Sequence, residues 1–124
     1  DLNGKKTPEA IRQNTKEWVE RTRTALPQAR ILLVSVIRAP QKRTAGLLPK
    51  VDEVNKDLAK LAGSFPGVIY VDVNPALEAA DGAPVAECYV SDNLHLTDEA
   101  YRRMTLVLRP VMEKEWKAAS ASKP

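Results

Sequence analysis

Seven consecutive residues, Ile31-Leu32-Leu33-Val34-Ser35-Val36-Ile37, are apolar apart from one serine and show no alternation. A strand with one wet face alternates; a strand covered on both faces reads as a continuous run. The run therefore asks for helices packed over it, and its surroundings provide them. Thr7-Pro8-Glu9 has the form of a helix start: a capping hydroxyl, proline at the first helical position and an acid near the positive end of the dipole. Ile11, Trp18, Val19, Thr22 and Leu26 recur behind it as one face, and Leu26-Pro27 ends the helix. Arg38 to Leu48 reads as a loop broken by Pro40 and Gly46. Pro49 opens a second helix with Val51, Val54, Leu58 and Leu61 as its inner side, and Gly63 to Gly67 stops it. Val68 to Val73 is a second strand. A further loop, through Gly82 and Pro84, leads to Ser91-Asp92-Asn93-Leu94-His95-Leu96. Thr97-Asp98-Glu99 starts the last helix, with Tyr101, Met104, Leu108 and Val111 inward and Pro110 expected to kink or shorten it. Residues 118–124, rich in small side chains, are expected to be a frayed tail.

Helix, strand, helix, strand, helix is the order of an α/β domain with a parallel sheet. Two strands are fewer than such a sheet carries, and they cannot cover three helices. Residues 1–117 thus read as the second, C-terminal half of one α/β domain. A length of 124 residues fits a single domain. The net charge of +3 is mild, its basic pairs are interspersed with acids, and the chain holds six aromatic residues of the Phe, Tyr and Trp types. Nucleic-acid binding wants a basic stripe with stacking aromatics, so it is not expected. No apolar run is long enough for a membrane span. One cysteine leaves no intramolecular disulfide. The chain opens on Asp1 rather than methionine, and its compartment is left open.

His95 is the only histidine, and Asp92 stands three residues before it. In a turn ahead of a helix, a side chain at i reaches one at i+3. A carboxylate accepting from imidazole Nδ1–H fixes the tautomer and leaves Nε2 as a general base. The segment also falls in a loop beyond the second strand, on the side where open α/β sheets collect reactive groups. A bland reading stands beside this one: a lone histidine near a helix start serves as a capping or surface residue. A metal site is not expected, because one histidine and one aspartate are too few ligands.

The segment Ser91-Asp92-Asn93-Leu94-His95-Leu96-Thr97-Asp98-Glu99-Ala100-Tyr101 resembles the last motif block of the SGNH, or GDSL-type, hydrolases, in which Asp-x-x-His precedes the final helix. The likeness extends upstream. Residues 7–40 resemble the helix and strand that follow the family's Gly-x-Asn-Asp block. Residues 50–82 resemble the next helix and strand, with the helix asparagine at Asn55 and the strand end Val71-Asp72-Val73. The platelet-activating-factor acetylhydrolase-like and bacterial acyl-esterase branches are the most similar in flavour.

The resemblance implies a three-layer α/β/α, flavodoxin-like parallel sheet of which this chain holds the C-terminal half. It implies that His95 is the general base, that Asp92 orients it, and that Asp1 is the final aspartate of Gly-x-Asn-Asp, with the oxyanion asparagine just before it. The nucleophilic serine is then upstream and absent. Among the residues at hand, Ser35 lies in a strand, Ser64 in a helix-ending turn, and Ser120 and Ser122 in the tail. Ser91 lacks a strand-to-helix elbow, and Cys88 reads as a small residue packed beneath the loop. The implied function is serine-type hydrolysis of carboxylic esters through an acyl-enzyme, without cofactor or metal, on a small-molecule, lipid or carbohydrate ester. The chain alone is expected to be inactive, and its sheet edge to be covered by the N-terminal half of the domain or by a second copy. The rival reading is a non-catalytic remnant or binding module that keeps the fold without the nucleophile.

Overall fold

A computed structural model describes residues 2–121. Helix α1 runs from Pro8 to Ala25, and its start follows the sequence signal: the Thr7 hydroxyl accepts from the Ala10 N–H at 3.1 Å. Its inner row is Pro8, Ile11, Thr15, Val19 and Thr22, spaced three or four apart, so Val19 is fully buried. Trp18 and Leu26, expected on that face, are 55% and 60% exposed. Trp18 sits one residue, hence about 100°, off the row, and Leu26 is already the C-cap with a non-helical backbone.

Strand β1 (Ile31–Val34) pairs in parallel with β2 (Val68–Val71), Ile31 opposite Val68 and Val34 opposite Val71. Both are shorter than the apolar runs that contain them, and side chains explain why. After Ser35 donates its N–H to Val71 O, the ladder stops: the Asn55 amide takes both the N–H and the C=O of Val36, at 2.7 and 3.0 Å. On the other strand, Ser35 Oγ accepts the Val73 N–H, and Asp72 Oδ1 accepts the Asn74 N–H to begin a short helix α4 (Asn74–Leu77). Polar side chains thus replace backbone pairing at the carboxyl edge of the sheet and turn both chains into loops.

Helix α3 (Leu48–Gly63) buries Val51, Val54, Leu58 and Leu61, the row expected from sequence. It packs on α1 and on both strands. Val19, Ile31, Leu33, Leu61, Ala62 and Val68 form one buried cluster; Leu2, Val51, Val54 and Leu58 form a second. The expected loop between Arg38 and Leu48 holds a short helix, α2 (Pro40–Thr44), with Pro40 in its first turn, where the missing N–H costs nothing.

The last helix, α5 (Asp98–Ala121), is longer than expected. It passes through Pro110 without ending and reaches four residues into the stretch foreseen as a frayed tail; residues 122–124 lie outside the described residues. Its buried position is Ala100, with Met104, Leu108 and Val111 half-buried behind it; Tyr101, one position off that row, is exposed. Leu106, Met112 and Trp116 are exposed. The sheet of the described residues has two strands, an α/β arrangement in which the open edges of β1 and β2 carry no further strand.

Candidate active site

The loop that carries His95 is closed at its base by an antiparallel bridge, Tyr89 opposite Leu96, with Thr97 N–H to Cys88 O and Val90 N–H to His95 O, both at 3.0 Å. Within it, Asn93 N–H returns to Val90 O, and Asn93 has φ 58°, a left-handed conformation that asparagine tolerates better than most residues. This tight turn brings Asp92 back over the chain. Asp92 Oδ1 accepts the N–H groups of Leu94 and His95 at 2.9 and 3.0 Å, and Oδ2 lies 2.5 Å from His95 Nδ1.

The His95 side chain, first, and the two backbone N–H groups hold the Asp92 carboxyl well below its ordinary value, at about 2. Asp92 is therefore a carboxylate at neutral pH, and the hydrogen between it and the ring belongs to Nδ1. In the neutral ring Nε2 then carries the lone pair; it meets no hydrogen-bond partner among the described residues, on a side chain that is 75% exposed. The arrangement is an imidazole with fixed tautomer and a free basic nitrogen facing solvent.

The loop is held from two sides. Below it, Cys88, Tyr89, Leu77, Ala39 and Ala100 form a buried cluster against which Leu94 and Leu96 pack. Behind it, Thr97 caps α5: its hydroxyl accepts the Ala100 N–H and donates to Glu87 O at 2.6 Å. In the first turn of α5, Glu99 accepts from Arg102 Nε and Nη2 and from Arg103 Nε, and these guanidinium groups lower its carboxyl to about 2.

The other residues singled out in the sequence are placed as follows. Cys88 is fully buried, and burial raises its thiol above the ordinary value, so it packs beneath the loop as expected. Ser35 is buried and occupied by Val73 and Asn74. Ser64 donates to Lys60 O, and Ser120 lies on α5. Ser91 is exposed in the turn and makes no hydrogen bond to His95. Asp1 and Ser122 lie outside the described residues.

Sequence reading missed the hub at the carboxyl edge. Asn74 is buried; its Oδ1 accepts the Arg38 N–H at 2.8 Å, and its Nδ2 donates to Val36 O and Asp72 Oδ1. An open cleft of about 660 Å³ lies there, lined by Arg38, Asp52, Asn55, Asp72, Asn74 and Glu78 among others. Asn-Pro directly after a strand is the signal that could have located it. Lys42, a charged residue read as part of a loop, is buried and donates to Asn3 Oδ1 at 2.7 Å. No trio of His, Cys, Asp and Glu among the described residues is placed to hold a metal ion, and no helix among them is long and apolar enough to cross a membrane.

A model of the GDSL-like Lipase/Acylhydrolase family matches residues 1–103. A solved structure from Streptococcus pneumonia, provisionally described as a platelet activating factor, superposes with a TM-score of 0.70 at 22% sequence identity, over 83% of this chain. That likeness is one of fold. The chain spans 50% of that structure's length. No curated protein matches the sequence.

Proposed function

The chain belongs to the GDSL-like lipase/acylhydrolase family, and from that premise we propose that it supplies the general base, His95, and the acid that orients it, Asp92, to a serine ester hydrolase. The observation that carries this reading is the Asp92 Oδ2–His95 Nδ1 contact on a loop that leaves Nε2 free.

In this reading a serine hydroxyl from residues upstream of Asp1 gives its proton to Nε2 as its oxygen attacks the ester carbonyl. The imidazolium, steadied by the Asp92 carboxylate, returns the proton to the leaving alcohol. Water then loses a proton to the same nitrogen and attacks the acyl-enzyme; the bond to the serine oxygen breaks, that oxygen takes the proton back from Nε2, and the acid is released. Asp1 closes the Gly-x-Asn-Asp block whose asparagine, with backbone N–H groups and a glycine, holds the oxyanion. Two features support an upstream nucleophile: Ser35 and Ser64 are engaged by backbone, and the chain spans half of the pneumococcal structure. The sheet continues beyond β1 with strands from the same domain, in the three-layer α/β/α arrangement of flavodoxin-like folds, and residues 1–117 are its C-terminal half. The substrate is a small, lipid or carbohydrate ester, with acyl specificity set by the upstream half.

Fluorophosphonate labelling read by intact mass tests this. Label on a species much heavier than 13.7 kDa, lost in the His95→Ala variant, is the expected result. Label that survives His95→Ala contradicts the role of His95. An unlabelled 13.7 kDa chain as the sole component favours the rival reading, a non-catalytic segment that keeps the fold.

A further inference from the structure

Among the described residues, one hydrogen bond ties residues 90–95 to a distant part of the chain: the Gln41 N–H, on α2, donates to Asn93 O at 2.9 Å. Asn93 is the left-handed residue between Asp92 and His95, so its carbonyl sits at the pivot of the loop. The next residue on α2, Lys42, is buried, and its ammonium donates to Asn3 Oδ1, while Asn3 Nδ2 donates to Gln41 Oε1 at 3.3 Å. Burying an ammonium is unfavourable unless it is hydrogen-bonded, so Asn3 is bound to this place by a strong partner. Asn3 itself belongs to a turn closed by Lys5 N–H to Leu2 O, with Leu2 packed among Val51, Val54 and Leu58. Asn3, Gln41, Lys42 and Asn93 therefore form one continuous bridge from the N-terminal turn to the histidine loop, between segments about ninety residues apart.

We propose that Gln41, Lys42 and Asn3 are positioning residues for His95, fixing the histidine loop relative to the N-terminal turn. The inference rests on the reading of His95 as a general base. Neither Lys42 nor Asn3 touches the imidazole. They act through α2: Asn3 and Lys42 set where α2 sits, and the Gln41 N–H sets where Asn93 sits. A base that must meet a hydroxyl from another segment needs that registration, because a displacement of about 1 Å lowers catalysis by orders of magnitude.

The test is NMR on the protein that carries the upstream half, which needs no turnover. Two signals are followed: solvent exchange of the His95 Nδ1 proton, and the Asp92 carboxyl titration. Asn3→Ala is the first variant, because Asn3 is exposed and its loss leaves the core intact. Exchange is expected to quicken about tenfold, on the scale of one lost hydrogen bond, and the Asp92 titration to rise above its lowered value. Asn3→Asp, which keeps an acceptor for Lys42, restores most of both. Lys42→Met, with a similar stem and no donor, moves them as Asn3→Ala does. A variant that lowers the melting temperature while both signals stay put overturns the bridge and leaves the general-base reading standing. A wild-type protein in which Asp92 titrates at the ordinary carboxyl value lacks the Asp92–His95 contact, and this overturns both.

Discussion

Both oxygens of Asp92 are occupied within three residues of it, one by two backbone N–H groups and one by the imidazole. An amide at this position accepts through one oxygen only, and its NH2 group then faces Nδ1 as a donor. The ring flips or changes tautomer, and the basic nitrogen is lost. Asp92→Asn in the complete hydrolase is expected to lower kcat by roughly three to four powers of ten with a small change in KM; steady-state kinetics on a soluble aryl ester checks it. The same carboxylate gives the fold a pH dependence. Its folded value, about 2, lies below the ordinary 3.8, as that of Glu99, also about 2, lies below 4.5. A depressed carboxyl contributes stability that is present above its unfolded value and is lost as pH falls through the folded one. The melting temperature is therefore expected to fall between about pH 4.5 and 2, and to fall less in Glu99→Gln. Asp92 is exposed and Glu99 half-buried, so solvent screening keeps the effect small and salt-sensitive.

At the scale of elements, side-chain amides and hydroxyls decide where the helices and strands stop. Asn74 holds Arg38, Val36 and Asp72 at once from a buried position. Its replacement by alanine leaves the Arg38 N–H and part of the Val36 carbonyl without partners, at an expected cost of about 2–4 kcal/mol. Asn74→Asp does not restore it, because a carboxylate has no hydrogen to give Val36 O; urea unfolding of the three proteins checks the order. Pro110 presents the opposite case. Proline in a helix interior costs about 3 kcal/mol, yet α5 runs through it. Pro110→Ala is expected to stabilise α5 and raise the melting temperature.

These elements also show what the sequence carries. The start of α1 at Thr7-Pro8, the inner row of α3 and the Asp92–His95 pair were legible because each depends on partners within four residues. The ends of the strands were not. They are set by Asn55 and Asn74, which reach 19 and 38 residues back to Val36. Trp18 and Tyr101 misled for a related reason: a large apolar side chain in a helical pattern does not reveal which of two adjacent rows faces the core, whereas Leu26 lies just past the end of α1.

At the scale of the whole molecule, part of the apolar surface left outside gathers in one place. Leu26, Leu32, Met112 and Trp116 border or line a groove between α5 and the start of β1, and Leu106 lies further along α5. Leu32 and Leu33 point to opposite faces of the sheet; Leu33 is buried against α1 and α3, whereas Leu32 is half-buried and lines the groove. In the proposed hydrolase that groove, and the open edge of β1 beside it, are filled by the upstream strands. Trp116, at 72% exposure, is the reporter. In the isolated chain its emission is expected to be red-shifted and readily quenched by acrylamide, and the chain to bind a hydrophobic dye or to pair through the open edge. In a protein that carries the upstream half, the Trp116 contribution, taken as the difference from Trp116→Phe, is expected to shift to the blue and become protected. Trp116→Lys there should destabilise by a few kcal/mol, the cost of placing an unpaired ammonium in a buried site, whereas in the isolated chain it should be close to neutral. Equal effects in both would mean that the upstream residues leave this face of α5 open, and that the sheet is completed in some other way.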